Sequence, residues 1–194
     1  MRTTLRTAGV AVRAMLVFTA VLGVGYMLLI TAIGQVALPF QANGSLVRSA
    51  DGAVVGSTLI GQSFQDADGQ ALPQYFQSRP SAASYDGAAS TGSNLGPENP
   101  DLIASIQQGQ SDFRDLNGAG SVPADAVTAS GSGLDPDISV ENAERQVARV
   151  AEARGIPSSE VEALVAQHTL PRDLGYLGDP RVNVFDLNRA LDAR

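Results

Sequence analysis

Three acids that lie close together in the sequence, Asp135, Asp137 and Glu141, are the first candidates for chemistry in this chain. Carboxylate oxygens are favoured ligands of hard cations, so a cluster of this kind could attract a cation. Acids near the start of a helix also cap it or face the positive end of its dipole. The sequence leaves both interpretations open, and it does not by itself predict a metal site.

Side chains that commonly act as catalytic groups in enzymes are scarce in this sequence. The 194 residues contain no cysteine and no lysine, and the one histidine is His168. The absence of cysteine excludes thiol nucleophiles, disulfides and cysteine-ligated metals. The serines of Ser130–Gly133 have only His168 to activate them, and that residue is predicted to pack, or to face the helix dipole, at the end of an amphipathic helix. We predict no catalytic residue, no autonomous catalysis and no tightly bound cofactor.

The glycine-rich stretch Gly92–Pro97 resembles a phosphate-binding loop only in composition. A phosphate-binding loop of that kind ends in Gly-Lys-Ser or Gly-Lys-Thr, and this chain has no lysine. We therefore interpret the stretch as a structural turn.

The element that positions everything else is an apolar segment near the N-terminus. Residues 14–33 carry no charge, and a helix of about 20 residues spans the apolar core of a bilayer. We predict a transmembrane helix over residues 14–38, in which Gly23 and Gly25 offer a small face to a neighbouring helix. A cleaved signal peptide is the alternative, but the apolar run is longer than is usual for one.

Charge predicts the orientation of this helix. The charges before residue 48 are Arg2, Arg6 and Arg13, and an arginine excess marks the cytoplasmic flank of a span. We predict a single-pass protein of the inner (plasma) membrane in contact with membrane lipid, with residues 1–13 cytoplasmic, a linker over 39–45 and an extracytoplasmic domain over 46–194.

The domain after the linker is strongly acidic. It holds the other ten of the 13 arginines and all 20 acidic residues, which leaves a net charge of −10. Nucleic-acid binding needs basic contacts to phosphates, so nucleic acid is not expected as a partner.

The pattern of the domain predicts an α+β fold with a small β-sheet and about four helices. The Asp51-Gly52 pair indicates a hairpin between residues 46–48 and 53–56. Residues 75–100 are predicted to be a long loop. Helices are expected from Pro100 to Gly118, from Ser139 to Gly155, from a capping box at Ser159 and Glu162, and from a cap at Asp186, which follows a strand over 181–185. In the second of these helices Gln146 flanks the apolar stripe, which indicates a boundary residue.

Several motifs go further than composition. The stretches Tyr75–Ala82, Gly92–Pro97, Val122–Asp125 with Ser130–Pro136, and Pro180–Asn188 resemble, in this order, the C subunit of the bacterial high-affinity Kdp potassium-transporting ATPase. The single N-terminal helix also lies where that family has one. One departure is Asp137, because the resemblance leads us to expect a histidine there.

The resemblance implies a non-catalytic accessory subunit of a P-type ATPase complex. Its partners would be a potassium-channel-like subunit that carries the ion and a P-type ATPase subunit that hydrolyses ATP, so K+ and ATP belong to the complex. The family is described as needed for assembly and as raising the ATP affinity of the pump subunit, and Gln146 matches the glutamine assigned to nucleotide.

That nucleotide role conflicts with the charge pattern, because ATP is used in the cytoplasm and the domain is predicted to lie outside. We therefore favour a role at the outer potassium inlet. The alternative from composition is a free-standing anchored ectodomain, such as a binding protein or an envelope factor.

Overall fold

The computed structural model describes residues 2–194. The chain forms two compact units, one that ends at Leu46 and one that spans Val47–Arg194. The second unit contains both α-helices and β-strands, so the α+β class predicted from the sequence is confirmed.

The first unit is a long apolar helix. It consists of α1 (Arg2–Phe18), a π-helical segment (Thr19–Tyr26) and α2 (Met27–Ala37), followed by the short α3 (Pro39–Ala42). Residues Thr4–Ala37 have the length and composition of a membrane span, and this is the one such helix in the described part of the chain. The helix begins well before the predicted span, since the arginine-bearing residues are helical too. Residues 39–42, predicted as linker, form a helical turn that begins at Pro39.

Gly23 and Gly25 lie in the π-helical segment, which is exposed along its length. A side chain added at Gly25 would come within 3.5 Å of the Ala20 carbonyl oxygen, and one at Gly23 within 3.7 Å of the Thr19 methyl group. Small residues of this kind let a neighbouring helix approach closely. Helix packing through the two glycines stays a prediction.

The second unit begins with a hairpin and a long irregular segment. Strands β1 (Leu46–Arg48) and β2 (Val54–Ser57) form the predicted two-stranded sheet. Residues 58–99, all of them described, contain no helix and no strand longer than an isolated bridge.

The core is built by a small sheet and the helices that pack on it. The elements are α4 (Pro100–Asn117), α5 (Ala124–Val127), β3 (Asp137–Ser139), α6 (Val140–Arg154), α7 (Ser158–Gln167), β4 (Thr169–Leu170), β5 (Arg181–Asn183) and α8 (Val184–Asp192). The sheet is antiparallel with the order β3-β5-β4. Phe76 joins apolar side chains of α6, α7, α8 and this sheet in one buried cluster.

Most helix boundaries follow the predicted signals, and two do not. Asn99 caps α4, and Ser139 caps α6 by accepting a hydrogen bond from the Asn142 N–H. The predicted capping box at Ser159 is wrong, because α7 begins at Ser158, with Pro157 at the N-cap position and no side-chain cap. The predicted cap at Asp186 is also wrong, since Asn183 caps α8 and accepts from the Asp186 N–H.

Helix α4 differs from the other long helices of this unit. None of its side chains, all described from Pro100 to Asn117, is buried. The apolar side chains of this helix are therefore only partly covered: Leu102, Ile106 and Phe113 are half-buried, and Ile103 is 46% exposed. The amphipathic pattern predicted the helix correctly, but it did not show how much of its apolar face would be buried.

Candidate functional site

The three acids singled out from the sequence lie along one groove of about 480 Å³. Asp135 precedes β3, Asp137 opens it and Glu141 lies in the first turn of α6. Two more acids, Asp125 and Asp179, also line the groove. These acids therefore share one surface, and the contacts of each show how it is used.

Two of the three acids are held by arginines. An oxygen of Asp135 lies 2.9 Å from a guanidinium nitrogen of Arg79, and Asp137 lies 3.0 Å from Arg181. Burial raises the pKa of the Asp137 carboxyl, nearby Asp135 raises it further, and Arg181 opposes the change. These acids are neutralised within the fold, so a role in attracting cations does not suit them.

Glu141 is exposed and has no ion pair among the described residues. Glu141 does not cap α6, but it lies in the first turn, near the positive end of the helix dipole, as one of the two interpretations of these acids expected. Ser139 provides the cap itself. No group of three or more histidine, aspartate or glutamate side chains within residues 2–194 is placed to hold a metal ion.

Asp125 organises the start of α6, a role that the sequence did not reveal. Its carboxylate accepts hydrogen bonds from the Ser139 N–H at 2.7 Å, the Ser139 hydroxyl at 2.9 Å and the Asn142 amide at 3.1 Å. One carboxylate thus ties α5 to both β3 and α6. The signal was present in the Val122–Asp125 motif, but nothing in the spacing indicated its partner.

Gln146 is not the boundary residue that the helical spacing indicated, because only 1% of it is exposed. Its side-chain oxygen accepts from the Gln77 N–H at 2.7 Å and from Arg149 at 2.7 Å. Its amide nitrogen donates to the Gln77 carbonyl at 3.1 Å and to Asn142 at 2.9 Å. The prediction erred because the irregular segment covers the edge of the apolar stripe and supplies polar partners there, where the helical spacing indicated a boundary with solvent.

A second amide repeats this arrangement on the neighbouring residue. Asn188 of α8 accepts from the Phe76 N–H and donates to the Phe76 carbonyl, both at 2.9 Å. Two consecutive residues of a strandless segment therefore have their backbone groups paired by side chains from two helices. We call residues 73–79, which run between α6 and α8, the clamped segment.

Arg149 completes the clamp. It is 9% exposed and donates to the carbonyl oxygens of Pro73 at 2.6 Å and Tyr75 at 2.9 Å, and to Asn117 at 2.8 Å. Burial lowers the pKa of its guanidinium to about 10, which leaves it charged at neutral pH. The cation is stabilised by neutral oxygens. Sequence reasoning missed Arg149 and Asn188, although each is a polar residue at a core position of a periodic helix.

The motif stretches meet in space. The Ser81 hydroxyl donates to the Gly133 carbonyl at 2.6 Å, and the Ser90 hydroxyl donates to the Ser132 carbonyl at 2.9 Å. The Ser130 N–H donates to the Pro80 carbonyl at 3.0 Å. Ser81, Ser90 and Ser130 thus fix two loops to each other. None of these contacts involves a histidine.

Residues 8–193 match the family model described as KdpC, the c chain of the K+-transporting ATPase. The chain belongs to the KdpC family. A KdpC subunit of a potassium-transporting ATPase from Caulobacter vibrioides is 54% identical over 186 residues, which cover 95% of this chain and 91% of that protein.

Two further KdpC subunits support the assignment. The one from Sorangium cellulosum is 56% identical over 183 residues, covering 92% of this chain and 93% of that protein. The one from Citrifermentans bemidjiense is 48% identical over 182 residues, with coverage of 92% and 93%. The resemblance found in the sequence motifs is therefore confirmed, and the free-standing ectodomain is not favoured.

KdpC membership does not decide the nucleotide role of Gln146, which stays a prediction. Both ends of its amide already have two hydrogen bonds within the fold, and the side chain is buried. A nucleotide could reach this amide only if the clamped segment moved away. In this structure Gln146 stabilises the fold by pairing the backbone groups of Gln77.

Proposed function

We propose that this chain, an accessory subunit of the Kdp potassium-transporting ATPase by family membership, holds its acidic unit outside the membrane at the potassium entrance of the complex. The channel-like subunit would carry the ion, and the P-type ATPase subunit would hydrolyse ATP. The observation that carries the proposal is the distribution of charge: three arginines on the N-terminal side of the uncharged stretch 14–33 and a net charge of −10 on the C-terminal side of the helix.

Exposed acids without ion pairs are the groups that suit this role. Glu141, Glu144 and Glu152 fall on one exposed side of α6 by helical spacing, and none has an ion pair within the described chain. A surface of one sign raises the local concentration of the opposite ion. A diffuse field of this kind responds to charge alone, so selection of potassium over sodium must lie in the channel-like subunit.

Neutralising these three glutamates to glutamine should raise the potassium concentration needed for half-maximal ATPase activity of the whole complex. At a distance of about 20 Å in water, one glutamate attracts a potassium ion by roughly 0.1 kcal/mol at 0.01 M salt. Loss of three such charges should therefore raise the half-maximal potassium concentration by a factor of about two. The difference should shrink at 0.1 M of a non-transported salt, where the Debye length falls from about 30 Å to about 10 Å. Titrating the ATPase activity with potassium at the two ionic strengths measures this difference.

The matched control replaces the same three glutamates by aspartate, which keeps the charge. That variant should retain the parental potassium dependence at both salt concentrations, and melting curves should show all three proteins equally folded. A potassium dependence that is identical in the glutamine variant and the parent at low salt would refute the inlet proposal.

The orientation of the chain has its own test, which the absence of cysteine makes simple. A single cysteine at Ser90, which is exposed in the second unit, should react with a membrane-impermeant thiol reagent added to intact spheroplasts. A cysteine at Thr4 should react only after the membrane is opened. Labelling of Thr4→Cys but not Ser90→Cys in intact spheroplasts would reverse the proposed topology.

A further inference from the structure

The connection between β4 and β5 is an exposed excursion of ten residues. Every residue from Pro171 to Pro180 is exposed, and four apolar side chains of this region are largely open to solvent: Leu170 (42%), Leu174 (81%), Tyr176 (69%) and Leu177 (47%). We call residues 171–180 the tip. By contrast, the leucines of the adjacent helices α7 and α8 (Leu164, Leu187 and Leu191) are buried.

The tip has a defined conformation. Asp173 and Leu177 form a small antiparallel bridge with backbone hydrogen bonds of 2.9 and 3.0 Å. Arg172 pairs with Asp179 at 2.8 Å, and Arg181 lies 3.6 Å from Asp173. The exposed side chains are therefore presented on an ordered support.

The turn at the centre of the tip places a leucine where asparagine or glycine is preferred. Leu174 has φ 54° and Gly175 has φ 82°, and the Tyr176 N–H donates to the Asp173 carbonyl at 3.3 Å. Positive φ at both central positions is the pattern of a type I′ turn, which favours Asn-Gly. The chain thus holds an apolar residue in a strained conformation without burying it, and strain of this kind is often kept at binding sites.

We propose that the tip docks into an uncharged apolar pocket on another protein subunit of the complex, with Leu174 as the central contact. This inference rests on the proposed function, because it requires the acidic unit to face that subunit outside the membrane. Exposed apolar side chains on a rigid support are the usual anchors of protein interfaces.

Charge favours a protein pocket over a lipid surface. Arg172 of the tip pairs with Asp179, and Arg181 at its flank is shared between Asp173 and Asp137, so the region has no excess of positive charge. Membrane-surface anchors instead carry an excess of basic residues beside their apolar side chains. The unit that bears the tip also has a net charge of −10, which opposes approach to anionic lipid.

Photocrosslinking in the assembled complex tests the proposal directly. A photoreactive phenylalanine analogue at Leu174, in the tagged full-length chain within native membranes, should join this chain to a second protein subunit. The same analogue at Leu59, which is 61% exposed but outside the tip, serves as the control and should give little product. Products that contain only lipid, or no product above the Leu59 level, would overturn the proposal.

Leu174→Asn separates docking from folding. Asparagine suits positive φ, so the variant should melt at or above the parental temperature. Its recovery of partner subunits from detergent should fall at least about fivefold, as expected for a central apolar contact, and Leu59→Asn should recover them normally. Parental recovery by Leu174→Asn would contradict the docking role. If Ser90→Cys reacts only after the membrane is opened, the proposed function fails instead.

Discussion

Replacing Gln146 by alanine is expected to lower the free energy of unfolding by about 3 kcal/mol. The change removes a buried side chain and leaves the N–H and carbonyl of Gln77 without their partners. An unpaired buried polar group costs about 1–3 kcal/mol, and the cavity adds to that. For a unit of this size the melting temperature of the full chain in detergent should fall by roughly 6–12 °C.

Two variants identify the cause of the loss. Gln146→Met keeps most of the volume but none of the hydrogen bonds, so most of the destabilisation should remain if the amide is what matters. Gln107→Ala, at an exposed position of α4, should change stability by no more than about 0.5 kcal/mol. Gln146→Ala could instead leave the melting temperature unchanged and raise the Michaelis constant of the complex for ATP. That result would favour the nucleotide role over the clamp.

Gly133→Ala is expected to have a comparable effect for a different reason. Gly133 has φ 68°, and an added Cβ would lie 2.6 Å from the Thr91 carbonyl oxygen and 2.7 Å from the Ala83 Cβ. Both neighbours belong to the long loop that packs on this turn, so neither can yield without moving backbone. Strain and overlap together should destabilise the full chain by about 3 kcal/mol, measured by thermal unfolding.

A glycine two residues away provides the control. Gly131 lies in the same motif, is free of positive φ, and has nothing within 4 Å of an added Cβ. Gly131→Ala should therefore leave the melting temperature within about 2 °C of the parent. Equal effects of the two substitutions would mean that the loop does not pack on Gly133 as the structure has it.

Local signals predicted the elements of this fold well. The Asp51-Gly52 turn, the cap at Ser139 and the stop at Gly155 depend on residues within a few positions, and a single sequence contains that information. The errors at Ser159 and Asp186 are small and of one kind. In both cases the N-cap position is occupied by a residue two or three positions before the predicted one, Pro157 before Ser159 and Asn183 before Asp186.

The site was harder to predict because its partners are distant in the sequence. The pairing of Asp135 with Arg79 spans 56 positions, and that of Gln146 with Gln77 spans 69. Helical spacing placed Gln146 at the edge of an apolar stripe, but it carried no information about an irregular segment that covers that edge. The polar residues Arg149 and Asn188 interrupt core positions, and such interruptions were the available sign of a buried polar network.

The clamped segment also affects the order in which the unit can form during synthesis. The backbone groups of Phe76 find their partner in Asn188, which follows 112 positions later and lies close to the C-terminus. A growing chain therefore leaves the backbone groups of Phe76 without this partner until Asn188 has been made. A chain that has not yet reached α8 can form only the part of the clamp that α6 supplies, through Gln146 and Arg149. Synthesis of α8 then supplies Asn188, and the clamp on residues 73–79 can be completed.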